Sequence, residues 1–225
     1  MLHICQERHN FFQTLEKKKI KNLIFDLGGV IIDLDTSKTI RAFAQLSGKK
    51  DNEILTLASH SIFKQYEKGE ITNDDFRKGL RELFFLDLED HVIDKAWNAM
   101  IGELPSYRLE MLKQLRKNYN VFILSNTNHI HIEYVHRYLN NNYEVQDFST
   151  YADMVHYSQL MGMRKPDIEI YQSVLNQNNL DAEFSLFLDD NEENLEGARR
   201  AGIQTILVTH PDEVPQLLKN AGIEY

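Results

Sequence analysis

The stretch that decides the fold is NLIFDLGGV, residues 22–30, in which an apolar run leads into Asp26 and then into a glycine turn. An apolar run of this length without polar alternation is typical of a strand buried on both faces of a parallel sheet. A carboxylate at the end of such a strand is costly to place unless it has a partner or a task. The stretch therefore predicts a buried strand with a functional carboxylate at its carboxyl end.

Three further apolar runs follow the same pattern along the chain. VFIL ends at Ser125, SLFL ends at Asp189 and TILV ends at Thr209, and all but the last lead directly into a helical pattern. This alternation predicts an α/β fold with a Rossmann-like parallel sheet. Ligands of such sheets bind beyond the carboxyl ends of the strands, and the first three ends here carry Asp26, Ser125–Asn126 and Asp189–Asp190.

One long segment interrupts the alternation. Residues 35–103 contain helical patterns and no comparable strand run, and Thr72 with Asp75 three residues later approximates a capping box. We expect a helical cap over residues 35–103, inserted after the first strand of a core formed by residues 20–34 and 104–225. Residues 1–19 are an extension of weak helical character.

Composition excludes several classes of function. The chain has 225 residues, 42% of them hydrophobic, and a net charge of −9. An acidic chain with one short lysine run is not a general nucleic-acid binder, because backbone affinity needs clustered Lys and Arg. No apolar run approaches the roughly 20 residues that cross a bilayer, and the single cysteine, Cys5, cannot form an internal disulfide. We expect a cytoplasmic protein with neither membrane nor nucleic-acid partners.

Four motifs, taken together, carry a family resemblance. FDLGGV at Asp26, LSNTN at Ser125, GMRKP at Lys165 and FLDDNEEN at Asp189 resemble, in the usual order, the four motifs of the haloacid dehalogenase superfamily. The cap segment FKQYEKGEITNDDF adds a narrower similarity to the alpha-D-glucose-1-phosphate phosphatases of that superfamily. The resemblance implies a magnesium-dependent phosphatase that acts on a small phosphorylated metabolite, such as a hexose phosphate.

The resemblance assigns the nucleophile and the metal ligands. Asp26 is expected to attack phosphorus and form an aspartyl-phosphate intermediate, which splits hydrolysis into two easier displacements. Because the phosphoryl group is already negative, its charge must be neutralised, and Mg²⁺ suits this task with oxygen ligands. The implied ligands are Asp26, the carbonyl of Gly28 and Asp190, with Asp189 close by.

The resemblance also assigns the groups that hold the phosphate. Ser125 offers a hydroxyl at a strand end, and the backbone N–H of Asn126 is expected to open the next helix. Lys165 adds a positive charge before a helix and is expected to contact both the phosphoryl group and the nucleophile. Arg164 beside it is interpreted as a surface or cap contact. The cap segment from Tyr66 to Glu70 is either a plain helix end or an element of substrate selection.

The sequence departs from the family pattern at Gly28. Most phosphatases of the superfamily carry there a second aspartate that protonates the leaving group. A sugar 1-phosphate needs less acid help, and Asp33, Asp35 or a cap residue could substitute for the missing acid. Two alternatives remain open: a metal-independent 2-haloacid dehalogenase, which also lacks the second aspartate, and a non-catalytic phosphate-binding or scaffold protein that kept the fold.

Overall fold

The computed structural model describes residues 20–225. The predicted extension over residues 1–19, with Cys5, lies outside this part of the chain. Among the helices of residues 20–225, none has both the length and the apolar character needed to span a bilayer.

A parallel sheet forms the centre of the described chain. Its strands within residues 20–225 are β1 (Asn22–Phe25), β2 (Asn120–Ser125), β3 (Met154–Tyr157), β4 (Ser185–Asp189) and β5 (Gln204–Leu207). They lie in the order β3-β2-β1-β4-β5, and each neighbouring pair is parallel. The predicted α/β class and the four predicted strands are confirmed. The sequence pattern missed β3, because His156 interrupts the apolar residues of this edge strand.

Apolar side chains cover both faces of the sheet. Successive side chains of a strand point to opposite faces, so Leu23 and Phe25 join one hydrophobic cluster while Ile24 joins the other. The flanking helices are α6 (Ser106–Leu115), α7 (His129–Tyr143), α8 (Ser158–Met161), α9 (Ile168–Gln177), α10 (Glu192–Arg200) and α11 (Val214–Asn220). The buried strands place every polar strand end at one edge of the sheet.

The helical segment predicted between β1 and β2 is present. It consists of α1 (Thr36–Ser47), α2 (Asp51–Leu57), α3 (Ser61–Glu67), α4 (Asn73–Phe84) and α5 (Asp90–Asn98). Thr72 and Asp75 form the predicted capping box at the start of α4. We call α1 to α5 the cap helices.

The cap helices have a hydrophobic cluster of their own. It is built around Phe76, which is fully buried and stacks on Tyr66 with ring centroids 4.0 Å apart. Trp97 lies 5.1 Å from Phe76 on the other side. The sheet helices contribute Ile130 to this cluster. A separate cluster supports the division into cap and core, and the boundaries at 35 and 103 stay a prediction.

If the cap and the core have separate hydrophobic clusters, a cavity made in the cap cluster should destabilise the cap helices alone. Phe76→Ala should destabilise the cap helices by about 3–5 kcal/mol, because it removes the ring at the centre of their cluster. Amide hydrogen exchange should then speed up in α1 to α5 and stay slow in β1, β2 and β4. An equal loss of protection in strands and cap helices would contradict two separate cores.

Candidate active site

The carboxyl ends of β1, β2 and β4 bring the predicted polar residues together. Asp26 follows β1 directly, Ser125 is the last residue of β2 and Asp189 is the last residue of β4, and all three are buried. Carboxylate oxygens of Asp26, Asp189 and Asp190 lie within 4.8 Å of one another. The parallel sheet thus concentrates three acidic groups at one point.

A buried lysine lies between two of these carboxylates. Lys165 is completely buried, and its Nζ donates to Asp26 Oδ1 at 2.8 Å, to Asp189 Oδ2 at 2.7 Å and to the carbonyl of Leu124 at 3.0 Å. These three acceptors use all three ammonium hydrogens. The main-chain N–H of Leu27 also donates to Asp26 Oδ1, at 2.7 Å. Within the described chain both bonds to Asp26 therefore engage Oδ1, which leaves Oδ2 as the candidate reacting oxygen.

Burial and charge act in opposite directions on these groups. Burial by itself lowers the pKa of Lys165, but the adjacent Asp26 and Asp189 carboxylates outweigh it and raise that pKa, so the ammonium keeps its proton. The pKa of Asp26 is raised to about 8: burial is the largest cause, the Lys165 ammonium opposes it, and repulsion from Asp189 and Asp190 adds to it. The Lys165 ammonium therefore offsets the effect of burial on the Asp26 carboxylate only in part.

Asn126 holds the backbone of Lys165 with its side chain. The amide oxygen of Asn126 accepts from Lys165 N at 2.8 Å, and its amide nitrogen donates to the Lys165 carbonyl at 2.9 Å. The expectation that Asn126 opens the next helix is wrong: α7 begins at His129, and the Asn128 side chain caps it. The intervening residues Asn126 and Thr127 form a loop, because a capping side chain fixes the helix start at its own position.

Asn194 is a site residue that the sequence did not reveal. Its side-chain amide donates to Asp189 Oδ1 at 3.0 Å and lies 3.2 Å from Oδ2, while the main-chain N–H of Asn191 donates to Oδ1 at 2.8 Å. Asp189 is therefore fully hydrogen-bonded and orients Lys165. A signal was present in the sequence: Asn194 shares the buried face of α10 with Leu195 and Ala198, where a polar residue needs a partner.

Two glycines leave room that the site uses. A Cβ on Gly29 would lie 2.2 Å from Asp190 Oδ2, and the φ of Gly29 is +74°, so only glycine allows the Asp190 carboxylate this position. A Cβ on Gly28 would lie 3.2 Å from Leu34 Cδ2. An apolar side chain thus borders the position where the family pattern carries the second aspartate.

The donor set fits a divalent cation. Asp26, Asp189 and Asp190 offer only oxygen atoms, which Mg²⁺ prefers, and Lys165 balances one of their three charges. Gly29 leaves space for Asp190 on the open side of this group. Asp26 and Asp190 are the residues able to hold the ion, since Asp189 already accepts bonds from Lys165, Asn191 and Asn194.

The two acids suggested as replacements at Gly28 have other partners. Asp33 accepts a hydrogen bond from the buried guanidinium of Arg108 at 2.7 Å. Asp35 caps α1 by accepting from the Ser37 N–H, and it also accepts from the Ser37 hydroxyl, a hydrogen bond that lowers the pKa of its carboxyl. With its lowered pKa the Asp35 carboxyl is a poor proton donor, and the Asp33 carboxylate is already bonded to Arg108.

Comparison with known proteins identifies the family. The family model for haloacid dehalogenase-like hydrolases matches residues 20–202. The chain belongs to this family. The D-ribitol-5-phosphate phosphatase of Bacteroides thetaiotaomicron is 30% identical over 187 residues, which cover 83% of this chain and 90% of the relative.

Solved structures of haloacid dehalogenase (HAD) family proteins agree with this membership. A HAD family enzyme from Bacteroides thetaiotaomicron, in complex with magnesium and inorganic phosphate, matches with a TM-score of 0.75 and 37% identity, covering 84% of this chain and 93% of that one. A HAD-like hydrolase from Porphyromonas gingivalis matches with a TM-score of 0.80 and 27% identity, over 89% and 97% of the two chains. The superfamily expectation is confirmed, and the narrower similarity to glucose-1-phosphate phosphatases stays a prediction.

A third glycine, Gly197, packs against Pro166, the residue that follows Lys165. A Cβ on Gly197 in α10 would lie 2.4 Å from the carbonyl oxygen of Pro166 and 2.8 Å from the Tyr171 ring. Gly197→Ala should lower the free energy of unfolding by about 1–3 kcal/mol, because the helix must move away from the segment that carries Lys165. Urea denaturation measures this, with Glu196→Ala on the exposed face as control. A stabilised Gly197→Ala variant would contradict the tight contact.

Proposed function

We propose that this chain is a magnesium-dependent phosphatase that hydrolyses a small phosphorylated metabolite through attack of Asp26 on phosphorus. The observation that carries the proposal is the buried Lys165, bonded to both Asp26 and Asp189 beside a third carboxylate, Asp190. Family membership and the phosphatase named among the relatives support it.

The proposed roles follow from the contacts. The Leu27 N–H and Lys165 hold Oδ1 of Asp26, so the carboxylate is oriented before substrate arrives and Oδ2 is the attacking oxygen. A Lys165 contact to the phosphoryl group requires Nζ to exchange one of its acceptors, and the neutral carbonyl of Leu124 is the weaker one. Ser125 and the N–H of Asn126 are proposed to hold phosphoryl oxygens at the end of β2.

The proposed metal ligands are Asp26, the carbonyl of Gly28 and Asp190, with Asp189 close by. Magnesium bound there would neutralise the charge that builds on the phosphoryl oxygens. The protein's own contribution is to orient these ligands: Gly29 makes room for Asp190, and Asn194 with Asn191 fixes Asp189.

The proposed substrate class is a sugar phosphate with a good leaving group, such as alpha-D-glucose 1-phosphate. Leu34 borders Gly28, while Asp33 and Asp35 are engaged by Arg108 and by the start of α1. An anomeric oxygen departs more readily than a primary alcohol, so the loss of an acid at Gly28 costs less rate with that class. One relative is named a D-ribitol-5-phosphate phosphatase. D-ribitol 5-phosphate is the ester of a primary alcohol, so it provides the comparison substrate with a poorer leaving group.

The two alternatives differ from the proposal in what they require. A metal-independent dehalogenase has no use for three carboxylates around one lysine. A non-catalytic scaffold has no need for the set of bonds that orients Asp26 and Asp189. The carboxylate group therefore favours metal-dependent phosphate chemistry over both.

If Asp26 is the nucleophile, Asp26→Asn should lower kcat by about a thousandfold or more, because a carboxamide cannot attack phosphorus. The circular dichroism spectrum should be unchanged. Asp33→Asn is the matched control: it should keep turnover and lose about 1 kcal/mol of stability, since Arg108 loses one charged acceptor. Retained turnover in Asp26→Asn would refute the assignment.

The leaving-group account predicts the order of activity on a panel of esters. Phosphate release should be faster with alpha-D-glucose 1-phosphate than with glucose 6-phosphate or D-ribitol 5-phosphate, and a chelator should abolish it. Gly28→Asp should raise the activity on the two primary esters relative to the 1-phosphate, because it restores a proton donor. Equal or faster release from the primary esters by the unmodified protein would contradict the account.

A further inference from the structure

The end of α3 is one place where the cap contacts the core near the candidate active site; another is α5, whose Trp97 donates to Asn128 after β2. We call residues 66–69, from Tyr66 to Gly69, the docking segment. It meets the first turn of α7, the start of α8 and the turn that carries Lys165. Each of these core elements adjoins a residue of the candidate site.

Glu67 contacts two of these elements at once. Its carboxylate accepts a hydrogen bond from Arg164 Nε at 2.9 Å, and its backbone carbonyl accepts from Ser158 Oγ at 2.6 Å. Ser158 Oγ in turn accepts from the N–H of Thr127 at 2.9 Å. One cap residue is therefore bonded to the neighbour of Lys165 and, through one hydroxyl, to the loop that follows Ser125.

Tyr66 and Gly69, which flank Glu67 in the docking segment, also contact the core closely. The hydroxyl of Tyr66 accepts from the N–H of Ile130 at 3.2 Å and donates to Asn73 within the cap at 2.7 Å. A Cβ on Gly69 would lie 2.3 Å from the carbonyl oxygen of Gln159, and its φ is +66°. The glycine at this position lets the two backbones touch, which a plain helix end does not require.

We propose that Glu67 and Arg164 are a positioning pair that holds the cap docked and ties its position to the turn bearing Lys165. Arg164 directs its side chain to the cap while Lys165, the next residue, directs its own to Asp26 and Asp189. Movement of the cap therefore pulls on the same turn that orients the nucleophile. The kinetic consequence of this pair rests on the proposed phosphatase function; the docking itself does not.

The Glu67–Arg164 pair is partly buried, so it should stabilise the docked cap more than a surface ion pair would. The side chains of Arg164 and Glu67 are 21% and 28% exposed, so solvent screens them only partly. The hydrogen bond is charged on both partners, which makes it stronger than a neutral one. We expect its loss to shift the docking equilibrium about tenfold.

One backbone amide reports docking directly. The N–H of Ile130 is bonded to Tyr66 across the interface, whereas the N–H of Ile132 in the same helix is bonded to the carbonyl of Asn128 within the core. Undocking exposes the first amide and leaves the second bonded. Their exchange rates, measured by NMR without substrate or metal, separate movement of the cap from unfolding of α7.

The test is a double-mutant cycle on this pair. Arg164→Gln and Glu67→Gln should each raise the exchange rate at Ile130 about tenfold and leave Ile132 unchanged. The double variant should match either single one, since both substitutions remove the same contact. Arg116→Gln is the control, because it breaks an ion pair with Asp153 of similar exposure that does not touch the cap.

Turnover provides the second readout. With whichever ester of the panel is hydrolysed, the Arg164→Gln and Glu67→Gln variants should raise KM about tenfold and change kcat less than about twofold, because bound substrate restores docking. Unchanged exchange at Ile130, additive effects in the double variant, or an unchanged KM would each overturn the proposal. Absence of turnover in the unmodified protein would defeat the proposed function and leave the exchange test valid.

Discussion

The buried ammonium of Lys165 is the interaction on which the rest of the site depends. It joins the ends of β1 and β4 through Asp26 and Asp189, and it reaches β2 through the carbonyl of Leu124. Removing a lysine and two carboxylates from water costs several kcal/mol for each ion, and that cost is offset only when every charge has good partners. Asn194, the Asn191 N–H and the Leu27 N–H supply the remaining partners of the two carboxylates. The site is thus a single network, and its geometry is fixed before any ligand binds.

Close backbone approach is the second constraint. Among the glycines where a Cβ would collide, three lie at the site or at its contact with the cap: Gly29 against Asp190, Gly197 against Pro166, and Gly69 against Gln159. The first makes room for a carboxylate, the second lets α10 support the turn of Lys165, and the third lets the cap meet the core. At Gly197 and Gly69, close approach to a main-chain carbonyl therefore brings the supporting helix α10 and the cap against the core.

The sequence predicted much of this arrangement for reasons that are visible in single residues. The strands β1, β2, β4 and β5 coincide with or overlap uninterrupted apolar runs and were recognisable, whereas His156 interrupts the apolar residues of β3. The four motifs indicated Asp26, Ser125, Lys165 and Asp189 because they end strands or precede helices. The contacts of Asn126, Asn194 and Glu67 were not predictable, because each depends on a partner more than one element away or on the rotation of a helix.

The structure shows which residues surround Gly28, the position where the sequence departs from the family pattern. Leu34 borders this position, and the carboxylates of Asp33 and Asp35 have other partners. The site therefore combines a well-supported nucleophile with an apolar boundary where the family pattern has an acid. That combination links the sequence departure to the chemistry of the leaving group.

Asp26 is proposed to carry the phosphoryl group during turnover, and chemical trapping of that group provides a direct test. The protein is mixed with magnesium and the most rapidly hydrolysed ester of the panel, quenched with acid within the first turnovers, and treated with borohydride, which reduces an aspartyl phosphate to homoserine. Peptide mass spectrometry then locates the product. The account predicts homoserine at position 26 that depends on substrate. Turnover in which Asp26 stays unmodified, or in which homoserine forms at the position of a different aspartate, would contradict this role of Asp26.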